Sequence, residues 1–337
     1  MTVEPTSLPK LAFLGPLGSH SHQCAQNGFG PGVEYVERST ITGTLLLCHF
    51  SGQWQMSAEA FKAVSDEIPF ALIPQENSLY GTVTDTYDLL RLPEVGQHKF
   101  VRGEVTLSVR HCLVVRRGVK LRDIGRVLSH EQALGQCARF LSTNLPGAAR
   151  IKMSSTSAAA QALLSEDKAD QLTESAALCS AACAKMHPEL EILQESVQDS
   201  NTNCTRFYVI GKSLDVKLPS TFHVTPPRHA LVRMALRNPD MAPDATVHPR
   251  NRLVQLVLST LLATFGLPVT RIDRRPSLTD VPFEDVYMVE LENPMSALSV
   301  GAEADVNLLD SSMWSRMAAG VKQVEAAGGD ATVLGIW

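Results

Sequence analysis

The strongest constraint on the fold is an alternation of short apolar runs, polar turns and helix-patterned segments. Lys10 to Leu14 is a short apolar run that stops at Gly15-Pro16-Leu17-Gly18-Ser19, and a helical pattern opens at His20. A strand, a glycine turn and a helix start leave backbone N–H groups pointing at whatever sits there, which suits an anion. Many α/β loops share this arrangement, so it assigns nothing by itself. Phe70 to Pro74 is a second buried-strand pattern, and it ends in the polar cluster Gln75-Glu76-Asn77-Ser78. Gly81 and Thr82 then lead into a helix through Tyr87 and Leu90, while residues 38 to 68 read as a helical connection with a loop insertion near His49 to Gln55. Cys112 to Arg116 and Arg126 to Leu128 read as strands. Ser129 reads as the cap of a helix beginning near Gln132, whose Ala133, Cys137, Phe140 and Leu141 recur at helical spacing. Ser154-Ser155-Thr156 precedes an alanine-rich helix, Ala158 to Leu164; a third helix is expected over Ala176 to Met186, and a last strand over Thr205 to Ile210. Strands alternating with helices predict an α/β architecture with largely parallel pairing.

Lys212 to Arg228 carries Pro219, Pro226 and Pro227 and reads as a linker. Beyond it lie a strand (Ala230 to Leu236), a helical stripe (Leu253, Leu256, Val257, Leu261, Phe265) and two strands (Val269 to Ile272, Val286 to Leu291). A helix follows with Met313, Met317, Val321 and Val324 on one face, then a final strand, Val333 to Trp337. The order βαββαβ is ferredoxin-like. Residues 239 to 251 read as an insertion.

A length of 337 residues suggests two or three domains. With 44% hydrophobic and 19% charged residues and a net charge of −5, composition points to a soluble globular chain, and no basic block suggests nucleic acid. Met1 to Lys10 lacks a signal pattern, and the apolar stretches fall short of the about 20 residues a membrane span needs, so a cytoplasmic protein with no membrane partner is expected. The seven cysteines are scattered and read as reduced, mostly buried thiols, with Cys179 and Cys183 at the spacing of helix neighbours. His20 and His22 flank Ser21 with no Cys or carboxylate at ligand spacing, so no metal site is expected.

Five segments, in order, carry a resemblance. They are Leu14 to Ser19 with Ser21-His22, Pro74 to Val83 around Glu76-Asn77-Ser78, Ser129 to Cys137, Ser155-Thr156, and Gln198-Asp199 through Thr205-Arg206-Phe207. Together they resemble the prephenate dehydratase family over about residues 9 to 212, most specifically in the Thr-Arg-Phe triplet. The resemblance implies two α/β lobes around a cleft, similar to periplasmic solute-binding proteins. It implies a catalytic domain over 1–215 with a discontinuous first lobe (about 1–107 and 200–215), a second lobe (about 108–199), a linker over 216–228 and an ACT-like regulatory domain over 229–337.

The implied reaction is loss of CO2 and water from prephenate to give phenylpyruvate, a hydro-lyase step in phenylalanine biosynthesis needing no cofactor or metal. Family positions make Thr205, Asn77 and Gln136 the expected catalytic residues, with Thr205 donating to the departing hydroxyl; Ser78, Ser129, Ser155, Thr156, Arg206, Phe207 and Glu76 are the expected substrate-binding residues. Outside that context the same residues have plain readings. A threonine at a strand start is usually β-branched filler, Ser129, Ser155 and Thr156 are helix caps, Gln136 is a surface amide, and Arg206 forms a salt bridge. His20 stands where the family carries an aromatic. In the ACT-like part, Asp273-Arg274-Arg275-Pro276 resembles one phenylalanine-binding motif, whereas Leu253 falls where the other motif has glycine and would crowd a ligand. Phenylalanine is the implied effector and a homodimer or homotetramer the implied assembly. No chorismate-mutase-like segment or dinucleotide fingerprint is present, so a monofunctional enzyme is expected. Two alternatives stay open: an arogenate dehydratase, whose substrate carries an amino group in place of the keto oxygen, and a non-catalytic amino-acid sensor of the same fold.

Overall fold

The structure, a computed structural model, describes residues 7–38, 59–165, 174–222, 228–236, 265–280, 282, 284–293 and 312–337. In chain order the first part comprises β1 (Lys10–Leu14), α1 (His20–Phe29), β2 (Glu34–Arg38), β3 (Phe70–Asn77), β4 (Gly81–Thr82), α2 (Thr84–Leu90) and β5 (Phe100–Ser108). The middle comprises β6 (Cys112–Arg116), β7 (Ile124–Ser129), α3 (Glu131–Gln136), α4 (Ala138–Asn144), β8 (Ala149–Lys152), α5 (Thr156–Ser165), β9 (Glu174–Cys179), α6 (Ala181–Lys185) and β10 (Leu190–Gln194). Then come β11 (Cys204–Gly211), β12 (His229–Leu236), β13 (Val269–Pro276), β14 (Asp285–Glu292), α7 (Ser312–Ala326) and β15 (Gly329–Ile336).

The central strands show why the first lobe forms. Successive strand side chains face opposite sides. Leu11, Phe13, Phe70 and Leu72 join one core with Phe29 of α1, while Ala12, Ala71 and Ile73 join another with Tyr87 and Leu90 of α2. Each of these side chains is fully buried. Burying a large apolar side chain contributes about 1.5–3 kcal/mol, so these strands are anchored from both faces.

The chain leaves this lobe after β5, builds a second sheet in the order β10-β6-β9-β7-β8, and returns as β11. The result is the two-lobed, periplasmic-binding-protein-like architecture that the motifs imply. Pairing is mixed rather than largely parallel. β1 runs parallel to β2 and β3, but β11 re-enters antiparallel to β3 and β5, and β6 is antiparallel to β9 and β10. Two crossings between lobes reverse the strands that follow them.

Residues 176–186 are not one helix: β9 ends at Cys179, Ser180 caps, and α6 starts at Ala181. Ala176 and Ala177 are fully buried ladder residues, and small residues carry no period that separates a buried strand from a helix. Cys179 and Cys183 therefore sit on different elements. The six described cysteines are free, and Cys48 lies outside the described residues. The helix after Ser129 is broken at Cys137 into α3 and α4. Residues 216–222 of the expected linker are packed: Val216, Leu218 and Phe222 lie against the α1 core, and the Thr221 hydroxyl donates to the Phe29 carbonyl at 2.5 Å.

The C-terminal strands take the ferredoxin-like order β13-β14-β12-β15, with α7 packed on β15. The helix expected around Leu253, and the insertion at 239–251, lie outside the described residues. This sheet continues into the first lobe through a parallel pair, Gly335 with Val101. A Cβ at residue 335 would stand 2.2 Å from the Val101 carbonyl oxygen, so only glycine permits that junction. Among the described residues no helix is long and apolar enough to cross a membrane.

Candidate active site

A cavity of about 490 Å³ lies between the two lobes. The first lobe lines it with the end of β1, the start of α1, Asn77, Tyr80 and Thr82 from the β3–β4 hairpin, and Thr205 of β11. The second lobe contributes His130, Gln132 and Gln136 around α3, and Ser154 to Ser157 at the start of α5; Val109, His111 and Asn203 come from the two crossings. This is the strand-end crevice where open α/β sheets bind ligands, and its volume suits a small molecule. The lobes also touch at Gly18, whose carbonyl accepts from the Ser180 hydroxyl at 2.6 Å. Gly18 has φ +79°, and a Cβ there would lie 2.8 Å from the Cys183 Cα, so a side chain would push the lobes apart.

A hydrogen-bond chain runs across the cavity floor. Asn77 Nδ2 donates to Thr205 Oγ1 at 2.9 Å and to Asn203 Oδ1 at 2.8 Å. Asn77 Oδ1 accepts from the Leu79 and Tyr80 backbone N–H groups at 3.0 and 3.1 Å, which fixes which way the amide faces. Asn203, 2% exposed, donates to Gln136 Oε1 at 3.1 Å. Gln136 Oε1 lies 2.7 Å from His111 Nε2, and Gln136 Nε2 donates to the Tyr80 hydroxyl at 3.4 Å. Because Gln136 presents oxygen, the network assigns the proton of neutral His111 to Nε2. His111 Nδ1 and both ring nitrogens of His20 are buried without a hydrogen-bond partner, and the two rings meet edge-on at 5.3 Å. Burial, then the neighbouring His111, pushes the His20 pKa down to about 3. Burial also lowers that of His111, against the Gln136 hydrogen bond, which raises it.

No Lys or Arg is among the described lining residues. An anion there meets hydroxyls and helix starts instead. Ser19 caps α1, and Ser155 Oγ accepts from the Ala158 N–H at 2.9 Å at the start of α5. The first N–H groups of each helix have no intrahelical partner and carry a partial positive charge. Asp85 also lines the cavity, its carboxyl pKa raised by burial first and by Asp88 second.

The prephenate dehydratase family model matches residues 11–214. The chain belongs to the prephenate dehydratase family. Arogenate dehydratase/prephenate dehydratase 2 of Arabidopsis thaliana, a chloroplastic protein, is 39% identical over 212 residues, covering 63% of this chain and 48% of its own length. The bifunctional chorismate mutase/prephenate dehydratase of Pseudomonas aeruginosa is 29% identical over 272 residues, covering 80% of this chain and 61% of its own. The chain thus spans about half to three-fifths of the length of these curated relatives. The crystal structure of a prephenate dehydratase from Arthrobacter aurescens in complex with L-Phe has the same fold, with a TM-score of 0.69 at 24% identity over 97% of this chain and 89% of that one.

Of the residues expected from the family motifs, the structure brings Asn77, Thr205, Gln136, Ser155 and Thr156 to the cavity. It places the others elsewhere. Ser129 does not cap a helix; it is the last residue of β7, fully buried, and its hydroxyl donates to the Leu178 carbonyl at 2.7 Å, while His130 caps α3. Ser78 Oγ donates to the Thr202 carbonyl and accepts from the Cys204 N–H, pinning the hairpin to the β11 approach. Phe207 is 2% exposed within the α1 core. Glu76 is ion-paired with Arg271, and Arg206 with Glu290 and Glu104.

The expected effector motif lies on β13, against the first lobe. Arg275 Nε and Nη2 donate to the two carboxylate oxygens of Asp88 at 2.7 and 2.8 Å, the Pro276 carbonyl accepts from Arg91, and Asp273 accepts from Thr82 at 3.1 Å. Arg274 reaches Asp285 at 3.6 Å. Leu253 is outside the described residues.

His20 and His22 face different ways. His22 stacks on Phe13 at 5.0 Å and its Nδ1 accepts from the Gly18 N–H. Among the described residues no group of three His, Cys, Asp or Glu side chains is disposed to hold a metal.

Sequence reading passed over Asn203, His111 and Tyr80. One signal was available: in extended chain Asn203 and Thr205 face the same side, so a polar residue two before the motif threonine shares its face.

Proposed function

We propose that this protein catalyses the decarboxylative dehydration of prephenate to phenylpyruvate. The observation that carries this reading is the Asn77–Thr205 hydrogen bond at the cavity floor. Asn77 donates, so a Thr205 lone pair is engaged and the hydroxyl proton is what Thr205 offers to a ligand. In the reaction the ring C–CO2⁻ bond breaks and its electrons enter the ring. The ring C–O bond breaks at the far end, and the departing hydroxide takes up a proton to leave as water. A donor aimed at that oxygen strengthens as charge develops there, which is what lowers a barrier. Neutral hydroxyls and helix starts also suit the substrate. A guanidinium on the ring carboxylate would stabilise the charge that must be lost, whereas the lining offers weaker contacts. Gln136 is read as acting beside Asn77 and Thr205, and Ser155 and Thr156 as holding a carboxylate at the start of α5.

The second reading is arogenate dehydration, favoured by the name of the Arabidopsis thaliana relative, which carries both activities. The C-terminal unit is read as an ACT-like domain that takes L-phenylalanine, in a cytoplasmic homodimer or homotetramer; the Arthrobacter aurescens prephenate dehydratase is itself in complex with L-Phe. The catalytic unit is read as 1–215, joined through 216–228 to 229–337.

Phenylpyruvate formation from prephenate by purified protein tests the reading, repeated with arogenate and with Thr205→Ala. Turnover of prephenate that the variant loses supports it. Preference for arogenate moves the second reading to first place, and no turnover of either leaves the sensor reading.

A further inference from the structure

The two residues at the cavity floor have immediate neighbours that look away from it. Asn77 pairs in register with Thr205 on β3 and β11, and one position along Glu76 pairs with Arg206. Strand side chains alternate, so if Asn77 and Thr205 face the cleft, Glu76 and Arg206 face the other side. There they meet a second register pair, Arg271 of β13 and Glu290 of β14. Arg271 Nη1 donates to the Glu76 carboxylate, and Arg206 Nη1 stands 3.6 Å from Glu290 Oε1. The signs interlock: acid on β3 against base on β13, base on β11 against acid on β14. Arg271 also donates to Thr82 Oγ1 at 2.6 Å and to Asp273, and its guanidinium lies over the Tyr87 ring at 5.3 Å. Glu76 and Thr82 are themselves cross-strand partners in the β3–β4 hairpin. Arg271 therefore ties both arms of the hairpin from outside, while Asn77 ties its tip from inside through Leu79 and Tyr80. Arg271 lies beyond the residues matched by the family model, 11–214.

We propose that Arg271 is a positioning residue for the cleft, through which the C-terminal unit holds Asn77 and the β3–β4 hairpin in their working geometry. The catalytic part of this inference rests on the prephenate reading above; the positioning part does not. Each pair joins a more buried member to a more exposed one, Arg271 (16% exposed) to Glu76 (33%) and Glu290 (2%) to Arg206 (36%), so the clasp is half withdrawn from water and screened less than a surface pair. Without Arg271, Glu76 and Asp273 lose the cation that stands between them behind the hairpin. The planar fork matters too: one guanidinium reaches a carboxylate and a hydroxyl on two strands at once, which a lysine cannot copy.

The test compares wild type, Arg271→Ala and Arg271→Lys by two readouts. With prephenate, kcat is expected to fall about 10-fold or more in Arg271→Ala and less in Arg271→Lys, with KM changed far less than kcat, since misplacement acts on the reacting geometry. Amide exchange is expected to quicken over residues 75–83 and stay unchanged over β7 on the far lobe. Exchange unchanged over 75–83 in both variants overturns the proposal, as does a kcat within about twofold of wild type in Arg271→Ala. Faster exchange throughout the chain also overturns it, because the role is then merely structural. If wild type does not turn over prephenate, the activity reading fails, and the exchange comparison still decides the positioning role. Should Arg271→Ala not fold, Arg271→Lys carries both measurements.

Discussion

Asn77 donates a 2.9 Å hydrogen bond to the Thr205 hydroxyl across 128 positions of chain. Both amide protons of Asn77 are committed, one to Thr205 and one to Asn203. Thr205→Ala removes the hydroxyl proton that the proposed reaction delivers to the departing hydroxide. We expect kcat to fall about 10²–10⁴-fold with little change in KM, and Thr205→Ser to retain more activity. Phenylpyruvate absorbance measures it, and a Thr205→Ala enzyme of near-wild-type kcat would remove threonine from the mechanism.

Asn203 links the two halves of the polar chain. Asn203→Ala leaves a part-buried Asn77 proton without its acceptor and takes one donor from Gln136. The expected cost is about 1–3 kcal/mol of stability, together with a drop in kcat. Urea unfolding reads the first and turnover the second; a variant as stable as wild type would mean that water replaces the amide.

Asp88, with a side chain 1% exposed, accepts from Arg275 through both oxygens and pairs with Arg91 at 2.7 Å. Asp88→Ala would strand two cations between α2 and β13. We expect a loss of about 3–5 kcal/mol, the usual cost of removing one member of a buried pair. A melting temperature unchanged from wild type would show that α2 and β13 do not depend on that pair.

The His20 and His111 rings meet without partners for three of their four nitrogens. The folded-state pKa of His20 lies below its ordinary 6.5, at about 3. Between those values the unfolded chain binds more protons, so stability rises with pH across the window and is lost as pH falls from about 6.5 towards 3. His20→Phe keeps an aromatic there and removes the titration. Its melting temperature should depend less on pH below 6.5 than that of wild type; identical profiles would place the acid sensitivity elsewhere.

How much of this was legible depends on what kind of residue carried the signal. Strands with apolar runs, such as β1, β3 and β6, stand out, because burial on both faces demands such residues. β8 is exposed along its length, and β2 carries Glu34, Glu37 and Arg38, so neither has a pattern apart from its neighbours. β5 interleaves Arg102, Gly103 and Glu104 with apolar residues, and β10 carries Glu191 and Gln194. In the site, motif order led to Asn77, Thr205, Gln136, Ser155 and Thr156. The same reasoning placed Ser129 in the cleft, where its hydroxyl is instead spent on Leu178. Whether a hydroxyl is free or committed depends on a neighbour that is 49 positions away.

The sequence by itself determined the family and the two-lobed fold, but it put Glu76 and Arg206 among the substrate-binding residues, although alternation along β3 and β11 turns them away from Asn77 and Thr205. Only the tertiary structure decided what those two charges meet. Arg271 lies 195 positions from Glu76, and Glu290 is brought opposite Arg206 by the junction of β15 with β5. Local alternation sets the side of a strand on which a residue stands, because it is a property of the backbone. Its partner across space depends on how sheets join, and no short stretch of chain encodes that.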